Sequence, residues 1–146
     1  MIVLADTSAL FAVLDADDKA HASATSFWEE ELRRGTRFRI TSYALLETWA
    51  LVQHRLGLAV LCRFRGDILP AVDVEWVDQS LHEAGASMVM ALGKRSLSLV
   101  DCTSFALMRQ AGIKDVFAFD PHFAQQGFNL LPASGLGSGD AEGVEQ

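Results

Sequence analysis

Short apolar runs alternate along this chain with longer segments of helical periodicity, and that alternation most restricts the fold. Ile2 to Ala5 is an uninterrupted apolar run, short enough for a strand buried on both faces. Val72 to Val77 alternates apolar and acidic residues, which predicts a strand with one wet face at the edge of a sheet. Three further strands are predicted at Phe38–Thr41, Val116–Phe119 and Phe128–Leu131.

Helical patterns fill the intervals between these strands. The predicted helices are Ser8–Asp15, Ala20–Arg34, Ser42–Leu56, Leu58–Ile68, Ser80–Leu92, Leu99–Gln110 and Pro121–Gln126. Ser42 is expected to cap its helix, and Ser80 and Glu83 have the spacing of a capping box. Because strands and helices alternate from end to end, the sequence predicts an α/β fold, with helices on both faces of a mainly parallel central sheet. We therefore expect three layers, α/β/α.

The chain is long enough for one domain with one sizeable core, since half of its 146 residues are hydrophobic. We assign that domain to residues 1–132. Residues 133–146 are rich in Gly, Ser and acids, which predicts a disordered tail. The N-terminus lacks the basic segment of a signal peptide, and no apolar run reaches the ~18 residues of a membrane helix. Cys62 and Cys102 are too few for a disulfide scaffold. We expect a cytoplasmic protein with reduced thiols and no membrane association.

A net charge of -7 at first opposes a nucleic-acid partner. Three of the 19 acids lie in the tail and four form the candidate site below, so the remaining acids equal the 12 Lys and Arg in number. Clustered cations could contact phosphates or could form a solvated surface. These clusters are Arg33, Arg34, Arg37 and Arg39; Arg55, Arg63 and Arg65; and Lys94 and Arg95.

Two acids follow predicted strands. Asp6 ends the first strand and Asp120 ends the fourth. In an open parallel sheet, ligands bind at the carboxyl ends of the strands, so both side chains would face one crevice. Helix capping is the alternative for each, because Asp6 precedes Thr7 and Ser8, and Asp120 precedes a proline.

Two further acids lie on predicted helices. Glu47 has Tyr43, Ala44 and Ala50 as helical neighbours, which predicts a carboxylate within a buried stripe. A buried carboxylate needs a metal or a partner such as Arg39 or Arg63. Asp101 lies in a Ser-Leu-Val-Asp segment that also matches a capping box.

Four converging carboxylates would raise one another's pKa, so together they make sense mainly when a cation neutralises them. Oxygen ligands suit Mg²⁺ or Mn²⁺, and the sequence has no Cys/His cluster for structural zinc. Such an ion activates water and holds a phosphate oxygen, which indicates phosphodiester hydrolysis.

The segments DTSAL, TSYALLETWALV, SLVDCTSFALM and VFAFDPHF carry these four acids in order. Their sequence and spacing, over Met1 to Leu131, resemble the PIN-domain ribonucleases, especially the VapC-like toxins of bacterial toxin–antitoxin pairs. The resemblance implies a parallel α/β/α fold, Mg²⁺ or Mn²⁺ dependence, cleavage of single-stranded RNA, frequent homodimers and inhibition by a cognate antitoxin.

The resemblance also assigns residues to roles. It implies catalytic and metal-binding roles for four acids: Asp6, Glu47, Asp101 and Asp120. Four nearby hydroxyls match positions that orient a water or the phosphate: Thr7, Ser8, Thr103 and Ser104. Asp120 is the least uniform member of the pattern.

Several alternatives stay open. An acidic-pocket regulatory module of the receiver type also has acids at strand ends, but the adjacent acid pair of that class is missing. A haloacid-type phosphatase would need a DxDxT motif, whereas Thr7 and Ser8 follow Asp6. A PIN nuclease outside any toxin–antitoxin pair is a further alternative. A PIN scaffold that has lost catalysis is another, but all four acids are present and nothing in the sequence supports that loss. Trp28, Trp49 and Trp76 could stack on RNA bases, but their apolar settings favour core or dimer packing.

Overall fold

The computed structural model describes residues 1–133 and contains one five-stranded sheet in which every neighbouring pair of strands is parallel. The strands are β1 (Ile2–Ala5), β2 (Arg37–Thr41), β3 (Val72–Glu75), β4 (Asp115–Phe117) and β5 (Asn129–Leu131). Their order across the sheet is β3-β2-β1-β4-β5, so β3 lies at an edge as predicted. The α/β fold and the parallel sheet are confirmed; the tail prediction, apart from residue 133, lies outside the described residues.

The strand order places a topological switch point at β1. The chain leaves β1 toward β2 and β3 on one side, then crosses to β4 and β5 on the other. Crossovers that leave in opposite directions open a crevice at the carboxyl ends of the two central strands. Asp6 directly follows β1 and Asp120 lies just beyond β4, so both acids lie at this crevice. The order also differs from the 2-1-3-4-5 order of receiver-type folds, which argues against that alternative.

Helices cover both faces of the sheet. They are α1 (Thr7–Leu14), α2 (His21–Arg33), α3 (Ser42–Leu56), α4 (Leu58–Arg63), α5 (Gln79–Leu92), α6 (Leu99–Ala111) and α7 (His122–Gln125). One core cluster joins sheet residues such as Val3 and Phe38 to the first four helices. A second cluster joins Leu4 and Val116 to α5, α6 and α7. Alternate residues of each central strand therefore enter opposite clusters, which confirms the three layers.

Two predicted helix caps are wrong. Thr41, not Ser42, caps α3, because its Oγ1 accepts the Ala44 N–H at 3.0 Å. Ser42 instead accepts the Val77 N–H at 2.9 Å and so ties α3 to the segment after β3. Helix α5 begins before Ser80, because the extended Asp78 accepts the Leu81 N–H at 2.8 Å.

The predicted helix Leu58–Ile68 is helical over its whole length, but it is not a single α-helix. Helix α4 ends at Arg63 and continues as a π-helical turn at Phe64–Ile68 and a 3₁₀ turn at Leu69–Ala71. These turns bury Phe64 and Ile68 before Pro70, which cannot continue an α-helix. Within residues 1–133, no helix combines the length and apolar character required to cross a membrane.

Candidate active site at the sheet switch point

Asp6 joins β1 to α1 and is held by Ser8. Its Oδ2 accepts the Ser8 hydroxyl at 2.6 Å and the Ser8 N–H at 3.2 Å, so the carboxylate caps α1. Its own N–H donates to the Phe117 carbonyl of β4 at 2.9 Å. The capping alternative and the position at the strand end therefore both hold for Asp6.

The environment of Asp6 disfavours a negative charge. The residue is only 7% exposed. Burial raises the pKa of Asp6 from 3.8 to about 6, against the lowering effect of the bonds from Ser8; the charges of Asp101 and Asp120 raise it further. A carboxylate of this kind favours a neutralising cation.

Asp120 lies two residues before α7. Its Oδ1 accepts the His122 N–H at 2.9 Å, which is an Asx turn rather than the predicted N-cap, because Pro121 occupies the cap position. The His122 ring atom Nδ1 lies 2.9 Å from the same oxygen, but outside hydrogen-bond geometry. Strand β4 ends at Phe117, two residues earlier than predicted, so Asp120 belongs to a loop.

Asp101 lies in the first turn of α6 and forms the predicted capping box. Its Oδ2 accepts the Ser98 N–H at 3.1 Å, and its N–H donates to the Ser98 Oγ at 3.1 Å. The box fixes the carboxylate at the N-terminus of α6, where the helix dipole favours negative charge.

Glu47 is not buried in an apolar stripe, so that prediction is wrong. The buried face of α3 consists of Ala44, Thr48 and Val52, and Glu47 lies beside it with its side chain exposed. Among residues 1–133 it forms no ion pair with Arg39 or Arg63. Glu47 borders a groove of about 340 Å³ whose other walls are mostly apolar: Tyr43, Leu46, Ala50, Leu99 and Val100.

This setting also perturbs Glu47. Desolvation raises the pKa of the Glu47 carboxyl, and the charges of Asp101 and Asp120 raise it further. A hydrogen bond with the Thr7 side chain lowers the pKa of Glu47 but does not offset these effects. Asp6 and Glu47 thus respond to the same two acids, which brings all four into one electrostatic group. Within residues 1–133, however, no three His, Cys, Asp or Glu side chains lie close enough together to hold one metal ion jointly.

The hydroxyl of Thr7 is directed toward α3. Its Oγ1 lies 2.8 Å from the Thr48 Oγ1, and Thr48 donates to the Ala44 carbonyl at 2.7 Å. Either hydroxyl can donate in this pair, and the Thr7 Oγ1 also lies 3.4 Å from the Ala44 carbonyl oxygen. Thr48 was missed from sequence; its signal is a polar residue between Ala44 and Val52 in a buried stripe.

Thr103 and Ser104 are both buried on α6. The Thr103 hydroxyl donates to the Leu99 carbonyl at 2.7 Å. A Cβ built on Gly85 of α5 would lie 2.4 Å from the Thr103 Oγ1, so this side chain occupies the contact between the two helices. The role implied for these two hydroxyls stays a prediction.

Some of the arginines expected to contact phosphates are engaged within the chain. Arg33 and Arg34 lie 2.8 and 3.2 Å from Glu30, and Arg37 lies 2.6 Å from Asp73. These pairs are exposed, so water and salt screen them and they add little to the stability of the fold. They nevertheless reduce the local positive charge available to a nucleic acid.

The three tryptophans differ in exposure. Trp28 is buried in the core as predicted, whereas Trp76, which directly follows β3, is 72% exposed. Trp76 borders an apolar groove of about 470 Å³. The other lining residues are Ser42, Tyr43, Leu45, Leu46 and Trp49.

Comparison with known proteins agrees with this arrangement. A family model for the PIN domain matches residues 3–129. The chain is 32% identical over 128 residues to the 23S rRNA-specific endonuclease VapC20 of Mycobacterium tuberculosis, covering 87% of this chain and 95% of the relative. The crystal structure of VapC20, a sarcin–ricin loop cleaving toxin, matches with a TM-score of 0.77, covering 88% of this chain and 96% of that one.

A more distant structure agrees in fold alone. FitAcB from Neisseria gonorrhoeae matches with a TM-score of 0.63 at 16% identity, over 89% of this chain and 96% of that one. The family match spans both central strands, the switch point and all four acids. The chain therefore belongs to the PIN domain family.

Proposed function

We propose that this chain is a metal-dependent endoribonuclease that hydrolyses phosphodiester bonds of single-stranded RNA. The proposal rests on two acids at the carboxyl ends of β1 and β4, Asp6 and Asp120, and on the charges of Asp101 and Asp120, which raise the pKa of both Asp6 and Glu47. The similarity to a 23S rRNA-specific endonuclease supports RNA as the substrate.

The carboxylate oxygens fit Mg²⁺, with Mn²⁺ as a substitute. Mg²⁺ keeps several waters and needs only one or two protein carboxylates directly, so it does not require three converging acids, which residues 1–133 do not provide. Asp6, Glu47, Asp101 and Asp120 would hold it directly or through waters. When bound, the ion supplies an activated water and neutralises charge that develops on the phosphate.

The assay is cleavage of a single-stranded RNA oligonucleotide and of a hairpin that carries the sarcin–ricin loop sequence. We expect cleavage with Mg²⁺ or Mn²⁺, none with EDTA, and at least a 100-fold loss in Asp6→Asn, which keeps the size of the side chain. Full activity in EDTA or in Asp6→Asn would refute the proposal.

We also propose that the chain is the toxin of a toxin–antitoxin pair, acting in the cytoplasm and inhibited by a cognate antitoxin. The similarity to the toxin VapC20 supports this. Expression of the chain alone should slow growth, and co-expression of a small protein encoded by the adjacent upstream gene should restore it. RNA cleavage without any effect on growth would indicate a nuclease outside such a pair.

The apolar groove supports a homodimer. Leu46 is 69% and Trp76 72% exposed, and none of the residues that line the groove is charged. A two-fold axis places the same patch of each copy against its partner. An uncharged apolar patch can be buried in this way, whereas a cluster of acids would bring like charges together.

A further inference from the structure

Ser8 contacts both sides of the switch point. Its hydroxyl lies 2.6 Å from the Asp6 Oδ2 and 3.0 Å from the backbone nitrogen of Phe119, a residue 111 positions away. Phe119 directly precedes Asp120. A single side chain therefore contacts one acid of the site and the backbone next to another.

The direction of each bond follows from the chemistry of the groups. A serine hydroxyl has one hydrogen and two lone pairs, and the Phe119 N–H can only donate. The hydroxyl hydrogen therefore goes to the Asp6 carboxylate, and a lone pair accepts from Phe119. Ser8 cannot donate to a phosphate or a water without releasing Asp6, so the ligand-orienting role implied by the family resemblance is disfavoured.

Other bonds attach the start of this loop to the sheet as far as Ala118. The Asp6 N–H donates to the Phe117 carbonyl at 2.9 Å, and the Ala118 N–H donates to the Leu131 carbonyl at 3.2 Å. The Ser8 bond to Phe119 extends this attachment to the residue before Asp120. Both bonds from Ser8 to Asp6 use Oδ2, which leaves Oδ1 for a cation.

We infer that Ser8 is a positioning residue that couples the Asp6 carboxylate to the loop carrying Asp120, and thereby sets the separation of the two acids. The inference rests on the proposed nuclease function, because it concerns the same site. It changes the role of Ser8 from a ligand of substrate or water to a bridge between two parts of the protein.

The test compares Ser8→Ala with Ser8→Thr, which keeps the hydroxyl, and with Ser87→Ala, a matched change at an exposed position of α5. We expect Ser8→Ala to lower kcat 10- to 100-fold with KM for RNA within about threefold, and to weaken Mn²⁺ binding about tenfold, measured by electron paramagnetic resonance. Ser8→Thr should recover most of both quantities, and Ser87→Ala should match the wild type.

A double-mutant cycle identifies the mechanism. In an Asp120→Asn background, Ser8→Ala should lower kcat no more than about threefold, because the coupled acid is gone. A residue that contacts the phosphate would instead raise KM and keep its full effect in that background. Either result would overturn the inference.

Amide hydrogen exchange gives a readout that does not depend on activity. Exchange at the Phe119 N–H should accelerate at least tenfold in Ser8→Ala, but not in Ser8→Thr or Ser87→Ala. Unchanged protection of Phe119 in Ser8→Ala would overturn the inference even if activity fell. If the wild type cleaves no RNA, the nuclease proposal fails, and Mn²⁺ affinity with Phe119 exchange still decides the role of Ser8.

Discussion

Asp6 combines a structural bond with an electrostatic penalty. Its carboxylate caps α1 through Ser8, yet the residue is almost completely buried next to two other acids. The folded-state pKa of about 6 lies above the ordinary 3.8. Between these values the folded protein binds more protons than the unfolded chain, so the stability contributed by Asp6 is greatest in acid and is lost as pH rises through about 6.

We therefore expect Asp6→Asn to be more stable than the wild type at pH 7.5 in EDTA, by up to about 3 kcal/mol, the free energy that corresponds to the pKa shift. The difference should vanish below about pH 4. Urea unfolding from pH 4 to 8 measures it, with the exposed Asp67→Asn as control. Mg²⁺ should stabilise the wild type and not Asp6→Asn. An Asp6→Asn protein that is equally or less stable at pH 7.5 would contradict this account.

Glu47 should support activity without supporting stability. It makes no ion pair within residues 1–133, and folding raises the pKa of its carboxyl, so Glu47→Gln should not lower the free energy of unfolding at neutral pH. RNA cleavage should fall at least 100-fold, because a charge near the cation is lost. The exposed Glu83→Gln on α5 is the matched control for both assays. Equal activity in the two variants would remove Glu47 from the site.

At the scale of elements, helix α5 packs closely against α6 through a glycine. A Cβ on Gly85 would lie 2.4 Å from the Thr103 Oγ1 and 3.0 Å from its Cα. Helix propensity alone favours alanine over glycine by about 1 kcal/mol, so on that ground Gly85→Ala should stabilise the protein. A loss of stability would therefore report the steric conflict between α5 and α6.

We expect Gly85→Ala to destabilise the protein by about 1–3 kcal/mol, because α5 must move away from α6. Adding Thr103→Ala to Gly85→Ala should recover part of this loss, because it removes the Thr103 Oγ1, which is the nearest atom to the added Cβ. Gly66→Ala, where nothing lies within 4 Å of the added carbon, is the control and should not lower stability. Urea unfolding of the wild type, Gly85→Ala, the double variant and Gly66→Ala measures these differences. A Gly85→Ala protein as stable as the wild type would mean that α5 and α6 can move apart without loss of stability.

The accuracy of the sequence predictions follows from how local each signal is. All five strands and the parallel sheet were predicted, because short apolar or alternating segments between helical patterns report burial directly. The predicted helix caps were wrong where two nearby polar residues could each cap the same helix. Asp78 caps α5 in place of Ser80 because its backbone is extended, and that backbone conformation is not evident from the sequence. The exposure of Glu47 depends on which face of α3 meets α1, and periodicity within one helix does not specify its neighbours.

The site shows the same limit. The assignment of four acids to one site stays a prediction, although the charges of Asp101 and Asp120 do raise the pKa of both Asp6 and Glu47. The bond from Ser8 to Phe119 joins residues 111 positions apart, so no spacing rule could predict it. The family resemblance assigns Thr7 and Ser8 the same role of orienting a water or the phosphate. In the structure the Thr7 hydroxyl contacts Thr48, whereas the Ser8 hydroxyl contacts Asp6.

At the scale of the whole molecule, surface charge and surface hydrophobicity are segregated. Asp6 and Asp120 lie at the switch point, while the uncharged groove around Leu46 and Trp76 is lined by residues of α3. Leu46 also borders the groove that contains Glu47, so the apolar surface reaches the edge of the site. A dimer formed through this surface would place the two sites near the interface.

We expect Leu46→Glu to convert the proposed dimer to a monomer, because two buried carboxylates would face each other across the two-fold axis. Light scattering coupled to size-exclusion chromatography measures the molar mass. Leu58→Glu is the control: Leu58 is comparably exposed but does not line the groove. A monomeric wild type, or equal masses for the wild type and Leu46→Glu, would exclude this interface.

The sheet order has a consequence for how the protein is made. Strand β1 is synthesised first, but its neighbour β4 and the loop with Asp120 come near the end of the domain. Domains fold as units during synthesis, so a nascent chain exposes Asp6 long before the opposite side of its crevice exists. If the chain cleaves RNA as proposed, a ribosome that translates it carries no active nuclease until the domain is almost complete.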